Sequence, residues 1–183
     1  MKENKNNSIW KEFLDFIKEV GISLLVVLLV MHFIAKPVIV KGSSMYPTLQ
    51  DGDFAFSNIL GVKMNKISRF DIVIIHIPEK NEYIVKRVIG LPGETVEYKD
   101  DKLYIDGEYV EEPFLDESYT STYSQFTSDI ESITLGDDEY YCLGDNRPNS
   151  SDSRVYGPFK KDKITSKGLF IFFPFKDFNL LTW

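Results

Sequence analysis

The chain of 183 residues is poor in the side chains that most often carry metal and redox chemistry. A single cysteine, Cys142, excludes an internal disulfide and most cysteine-rich metal sites. Two histidines, His32 and His76, stand far apart, too few and too isolated for a metal cluster. Each reads as a tolerated or packed histidine, and Cys142, inside Tyr140-Tyr141-Cys142-Leu143, as a small buried apolar residue. Runs of five or more Lys and Arg are missing and the formal charge is −7, so no nucleic-acid partner is expected. No metal and no cofactor is expected either. Beyond residue 36 the chain also lacks any helical period of useful length.

What is present begins with an apolar run. Residues 20–35 contain no Asp, Glu, Lys or Arg over 16 positions. At about 1.5 Å per residue they span about 24 Å of helix, against about 30 Å of bilayer core. Phe13, Leu14, Phe16 and Ile17 extend the apolar face backwards, and Lys18 and Lys36 can snorkel at the ends. Three readings compete. A cleaved signal peptide is opposed by the absence of a small-x-small site before Lys36-Pro37. A buried core helix is opposed by apolar character all round, not on one stripe. A permanent membrane anchor fits best. Lys2, Lys5, Lys11 and Lys18 precede the run and only Lys36 and Lys41 follow closely, which favours an internal N-terminus. The expected organisation is a cytoplasmic tail over 1–16, a transmembrane anchor over 17–36 and an extracytoplasmic domain over 37–183 at the cell membrane.

After Pro37 the pattern changes to period two. Strands are expected at 38–40, 53–56, 71–77 and 82–89, a meander at 95–110 turning on Asp106-Gly107, and later strands at 140–143 and 167–173. The fold class is therefore mainly β, a largely antiparallel domain preceded by one N-terminal transmembrane helix. Residues 116–138 are polar and acidic, and read more readily as a solvated surface loop than as a substrate-facing flap.

Three segments carry candidate chemistry. In Gly42-Ser43-Ser44-Met45-Tyr46-Pro47-Thr48-Leu49 a serine follows a glycine at a strand end, where a tight turn can present its hydroxyl. An ordinary Ser/Gly/Pro loop reads as well. In Tyr83-Ile84-Val85-Lys86-Arg87-Val88-Ile89-Gly90 a lysine lies within an apolar strand. Burial there would lower its proton affinity, and a base near pH 7–8 needs a shift of about three units, roughly 4 kcal/mol. A snorkelling surface lysine is the plain alternative. Residues 143–154 are irregular, with alternating acids and bases that can brace a site or merely form a turn-rich loop. No Ser/His/Asp triad is available outside the apolar run, so a serine enzyme here needs another base, and lysine is one.

In this order the three segments resemble the type I signal (leader) peptidases. Gly42 to Leu49 is similar to the family's nucleophile box, and Lys86-Arg87-Val88-Ile89-Gly90-Leu91-Pro92-Gly93 to its general-base box. Arg69-Phe70-Asp71-Ile72-Val73 is similar to a family β segment, with Phe70 where glycine is common. Gly144-Asp145-Asn146-Arg147 with Ser150, Asp152, Ser153 and Arg154 resembles the last box. The short length and single apolar run resemble the compact Gram-positive form. The resemblance implies a signal-peptidase-like β fold and a Ser–Lys dyad with Ser44 as nucleophile and Lys86 as general base. It implies that Ser150 bonds the lysine and that Asp145, Arg87, Asp152 and Arg154 brace the site. It places Val40, Gly42, Met45, Leu49, Ile84 and Val85 around shallow apolar pockets for an Ala-x-Ala pattern. Longer relatives carry a serine oxyanion donor where this chain has Gly42, beside the Ser44 N–H. The implied partners are secreted preproteins and the lipid bilayer, and the oligomeric state is left open. A catalytically inactive peptide-binding relative, or a protease of one dedicated precursor, is the rival reading.

Overall fold

A computed structural model describes residues 3–64 and 67–181, with side chains from residue 9. Lys2 and the side chain of Lys5, counted above in the charge asymmetry, lie outside the described residues.

Helix α1 runs from Glu3 to Phe33, so the helix reaches back through most of the segment expected as a polar tail. It stops three residues before Lys36, and Pro37 instead lies inside strand β1 (Ala35–Ile39). That strand is at the sheet edge, where a missing N–H is tolerated. Ile17, Ile22, Leu24, Leu25, Val27 and Leu28 of α1 are all exposed, so no core of this chain covers them. Among the described residues no helix is long and apolar enough to cross a membrane.

The body is two antiparallel sheets. The larger contains β1, β2 (Phe54–Asn58), β3 (Ile72–Ile77), β4 (Glu82–Gly90), β9 (Glu139–Leu143), β10 (Phe159–Lys160), β11 (Ile164–Phe173) and β12 (Asn179–Leu181). Its order is β1-β2-β11-β3-β4-β9-β10, with β12 on β11. The smaller, ordered β7-β6-β5-β8, contains β5 (Thr95–Lys99), β6 (Lys102–Ile105), β7 (Glu108–Val110) and β8 (Ile130–Thr134). The expected mainly-β antiparallel class is the observed one.

Alternating apolar residues form the core on both faces of the large sheet. Val40, Met45, Leu49, Ala55, Ile72, Ile74, Leu169 and Ile171 pack on one side. Val73, Ile75, Val88, Cys142 and Ile164 pack on the other. A third cluster joins the end of β4 (Ile89) and β9 (Tyr141, Leu143) to the small sheet through Val96, Tyr98, Leu103 and Leu135. Strand β4 is thus exposed at Glu82 and Tyr83 but buried from Lys86 to Gly90 on both faces. The period-two reading expected only one of its faces to be buried.

Three short helices, α2 (Ile59–Lys63), α3 (Glu117–Thr120) and α4 (Ser153–Tyr156), cap turns between strands. Each begins with an Asn or Asp that accepts a backbone N–H: Asn58, Asp116 and Asp152. Residues 116–138, read above as a solvated loop, contain α3 and β8. The polar composition conceals β8 because only Ile130 and Ile133 of its five residues face inwards.

Candidate active site

Ser44 lies on the turn after β1, and Lys86 in the middle of β4, paired across the ladder with Val73. The turn is closed by its own backbone: Val40 N–H donates to Asp53 O, Gly52 N–H to Val40 O, and Leu49 N–H to Met45 O. Gly42 takes φ +82° and donates its N–H to Asp51 Oδ1 at 2.7 Å. A residue with a side chain is strained at that φ, which accounts for glycine where longer relatives place serine.

The two residues meet. Lys86 Nζ donates to Ser44 Oγ at 2.7 Å and to Val85 O at 2.9 Å. Lys86 is 2% exposed. Burial holds its ammonium down at about 8, against the opposing pull of the Asp152 and Asp145 carboxylates. At pH 7 about one lysine in ten is then neutral, roughly 300-fold more than for an ordinary lysine. A serine hydroxyl bonded to a partly neutral amine is the arrangement needed to generate an alkoxide nucleophile without histidine.

The segment 144–154 wraps behind this pair. Asn146 donates its backbone N–H to Ser44 O and its Nδ2 to Ser43 O, both at 3.0 Å, so the nucleophile turn is clamped through its carbonyls. Arg87 pairs with Asp145 through Nε–Oδ1 at 2.8 Å and Nη2–Oδ2 at 2.6 Å, both side chains buried. Thr48 Oγ1 donates to the same carboxylate, which ties the far end of the nucleophile turn to β4. Asp152 accepts from Gly144 N–H and from Arg154. Burial pushes the Asp152 carboxyl up, but the Arg154 hydrogen bonds and charge outweigh it and leave the carboxyl below its usual range. Arg147, fully buried, donates to Gly144 O, Tyr98 Oη, Thr127 Oγ1 and Glu112, linking the wrap to the small sheet. Asp145, Arg87, Asp152 and Arg154, which the resemblance put around the site, are thus joined in buried ion pairs and hydrogen bonds behind Ser44 and Lys86. Thr48, Asn146 and Arg147 join them; the sequence reading gave none of the three a role, although all lie in the boxes it quoted.

Three residues differ from expectation. The Ser150 hydroxyl, expected on the lysine, is buried beside the Asp152 carboxylate, which it helps to hold down, while Lys86 Nζ bonds Ser44 Oγ and Val85 O. The Ser150 hydroxyl lies over Gly144, at 2.2 Å from where a Cβ would stand. Leu49, expected at a substrate pocket, is 0% exposed and packs in the core, because its N–H bond to Met45 O turns it inwards. Phe70, where glycine is common, takes φ +71°. That conformation is one glycine adopts without strain, and Phe70 packs its ring at a tilt of 56° against Phe114, which also lies under Arg87.

A groove of about 690 Å³ opens in front of Ser44. Val38 to Met45 form one wall and Glu82 to Lys86 the other, with Ile74 between. Val40, Met45, Ile84 and Val85 line it as expected. Outside the groove, Tyr119 of α3 packs edge-on against Tyr46 at 5.1 Å and donates its hydroxyl to Asn146 Oδ1 at 3.1 Å. The polar segment thus reaches the nucleophile turn. His76 stacks on Tyr83, and Cys142 is fully buried with its thiol pushed far up by burial.

Comparison with known proteins agrees with this geometry. The family model for signal peptidase, peptidase S26, matches residues 13–173. The chain belongs to the signal peptidases of peptidase family S26. It is 39% identical to signal peptidase I T of Bacillus subtilis over 97% of both chains. It is 35% identical to signal peptidase IB of Staphylococcus aureus, covering 92% of this chain and 94% of that one. A crystal structure of a signal peptidase I from Enterococcus faecalis V583 superposes with a TM-score of 0.52 at 40% identity, covering 56% of this chain and 96% of its own. Over that covered part the chain shares the mainly β, antiparallel fold of this signal peptidase I.

Two consequences of the geometry are measurable. A Cβ at Gly144 would stand 2.4 Å from Ser44 O and 2.2 Å from Ser150 Oγ. Gly144→Ala must therefore displace the nucleophile's own backbone, and kcat should fall by about 100-fold in a protein that still folds. Arg87→Ala leaves Asp145 buried without its cation and should cost about 3–5 kcal/mol of stability, read from denaturant unfolding of the full chain.

Proposed function

We propose that this chain is a membrane-bound serine endopeptidase that removes N-terminal signal peptides from secreted preproteins after Ala-x-Ala-like sites, with Ser44 as nucleophile and Lys86 as general base. The observation that carries the reading is the 2.7 Å contact of Lys86 Nζ with Ser44 Oγ at the wall of an open groove. Neutral Lys86 takes the Ser44 proton as Oγ attacks the scissile carbonyl. The Ser44 N–H, which has no partner among the described residues, faces the developing oxyanion. The lysine proton passes to the leaving amine, which frees the mature protein and leaves an acyl-enzyme on Ser44. Lys86, neutral again, takes a proton from water, whose oxygen attacks the ester. Collapse of that adduct returns the proton to Ser44 and releases the signal peptide as a carboxylate.

The groove favours small side chains at the residues before the cut. Val40, Met45, Ile84 and Val85 give this otherwise polar groove an apolar patch, and the edges of β1 and β4 offer backbone groups to an extended chain. The catalytic domain sits at the outer membrane face, held by α1. The helical part of the charge-free run, residues 20–33, spans about 21 Å, short of the about 30 Å of a bilayer core. Lys18 precedes it, and its stem reduces the difference by snorkelling, while Lys36 in β1 is turned onto the Tyr83 ring. An apolar helix surface with no protein cover has lipid as its natural solvent. An inactive peptide-binding relative is disfavoured by the intact serine and lysine.

The test is product identity. Detergent-solubilised full-length protein, incubated with a secreted precursor bearing one Ala-x-Ala site, should yield a single new N-terminus directly after the second alanine. A cut at another position, or none, would count against the reading.

A further inference from the structure

A second cavity of about 360 Å³ adjoins the substrate groove and shares two of its wall residues, Lys80 and Tyr156. Its floor is apolar, with Ile77 and Phe159 both buried. Its rim is basic: Lys80, Lys160 and Lys163 surround it with His76, and the lining contains one acid, Glu79. On a chain of net charge −7 this is a local excess of positive charge. None of the three lysines is neutralised by a close carboxylate among the contacts described. Lys80 donates to the neutral Tyr156 hydroxyl at 2.8 Å and lies over its ring, and Lys163 approaches Asp162 only at 4.0 Å.

We propose that this cavity is an accessory substrate subsite that takes an acidic side chain of the preprotein, outside the small residues that precede the cut. The inference rests on the groove being the substrate cleft. A preprotein segment extended along β4 past Ile84 towards Glu82 reaches the shared wall at Lys80 and Tyr156. Beyond that wall an aspartate or glutamate finds three ammonium groups above an apolar floor that accepts its methylenes. The shared wall favours the substrate over an anionic lipid headgroup as the occupant.

The experiment uses the full-length protein in uncharged detergent micelles. A neutral Ala-x-Ala precursor peptide is varied one position at a time, Gln against Glu, from six residues before the cut to six after it. At one position or two adjacent ones, Glu should raise kcat/KM about threefold to fivefold over Gln at low salt, and the gain should fade with added salt. The double variant Lys160→Glu with Lys163→Glu should invert that preference while altering cleavage of the Gln peptide less than twofold. Lys80→Gln, a milder change, should reduce the preference on its own. The proposal is overturned if no position prefers Glu, or if the preference survives both variants. A parallel series in vesicles of anionic lipid completes the test: the proposal is also overturned if the variants slow both peptides equally there and leave the micelle rates unchanged, which would make the cavity a headgroup site. Failure of the parent reading looks different: the unmodified neutral peptide would not be cut at all, or would be cut equally by Ser44→Ala.

Discussion

Ser44→Ala is expected to lower kcat/KM on an Ala-x-Ala precursor by about 100,000-fold or more, with the fold intact. Ser43 and Ser151 also line the groove, but among the described residues Ser44 carries the hydroxyl bonded to Lys86. Cys142 is fully buried in the core with its thiol pushed far up by burial, and Ser150 Oγ lies under the wrap against Gly144. Ser43 is exposed beside Ser44, but its carbonyl is pinned by Asn146 and no bond joins its hydroxyl to Lys86. The substitution removes one oxygen from a half-buried turn and one acceptor from the buried Lys86, so stability should fall by about 1–3 kcal/mol while the fold persists. Residual turnover above one part in a thousand, in a protein freed of wild-type contamination, would mean that Ser44 is not the attacking group.

The second large effect is at Lys86. Lys86→Met keeps the length and apolar bulk of the side chain and removes the base. A loss of about 10,000-fold in kcat/KM is expected, the upper range for a positioned general base. Stability should move the other way. The folded protein holds this ammonium at about 8 instead of 10.5, chiefly through burial. The unfolded chain therefore binds more protons between those values, and stability rises with pH across that window. Below about pH 8 the buried charge costs the fold on the order of 3 kcal/mol. Methionine removes that cost, so Lys86→Met should melt at a higher temperature than the wild type at pH 7, and the difference should shrink towards pH 10.5. A variant that is both inactive and less stable at pH 7 would show that Lys86 serves the fold instead of the reaction.

Much of the body was legible because its strands alternate. β2, β3, β4 and the meander β5–β7 fall within a residue or two of the positions read from period two. β8 was not, since a strand that buries only two of five side chains resembles a polar loop. The anchor expected over 17–36 ends earlier as a helix, at Phe33, because Ala35 to Ile39 pair as an edge strand, and an edge strand accepts proline. Local sequence cannot show that both faces of β4 are covered after Lys86, because the cover comes from β9 and from a small sheet packed through Val96 and Leu135. Lys86 itself shares the opposite face with its ladder partner Val73 and with Val88, in the cluster that β9 and β11 complete through Cys142 and Ile164.

The site divides in the same way. Ser44 and Lys86 were each ambiguous from their neighbours alone, being 42 residues apart; the ordered motifs joined them, and the fold brings them into contact. The bracing acids and bases were visible as a charged, irregular stretch. Their partners were not, because Thr48 meets Asp145 across 97 residues and Arg147 meets Glu112 across 35. Nor could composition reveal that Tyr119, in a polar segment, bonds the asparagine that clamps the nucleophile.

The central claim is that a buried, partly neutral Lys86 activates Ser44, and the pH dependence of kcat/KM on a neutral Ala-x-Ala peptide tests it most directly. The logarithm of kcat/KM should rise with unit slope from pH 6, bend at about 8 and stay level to pH 10, as the free enzyme's base loses its proton. A profile flat from pH 6 to 10, or one still climbing towards an ordinary lysine value near 10.5, would contradict it.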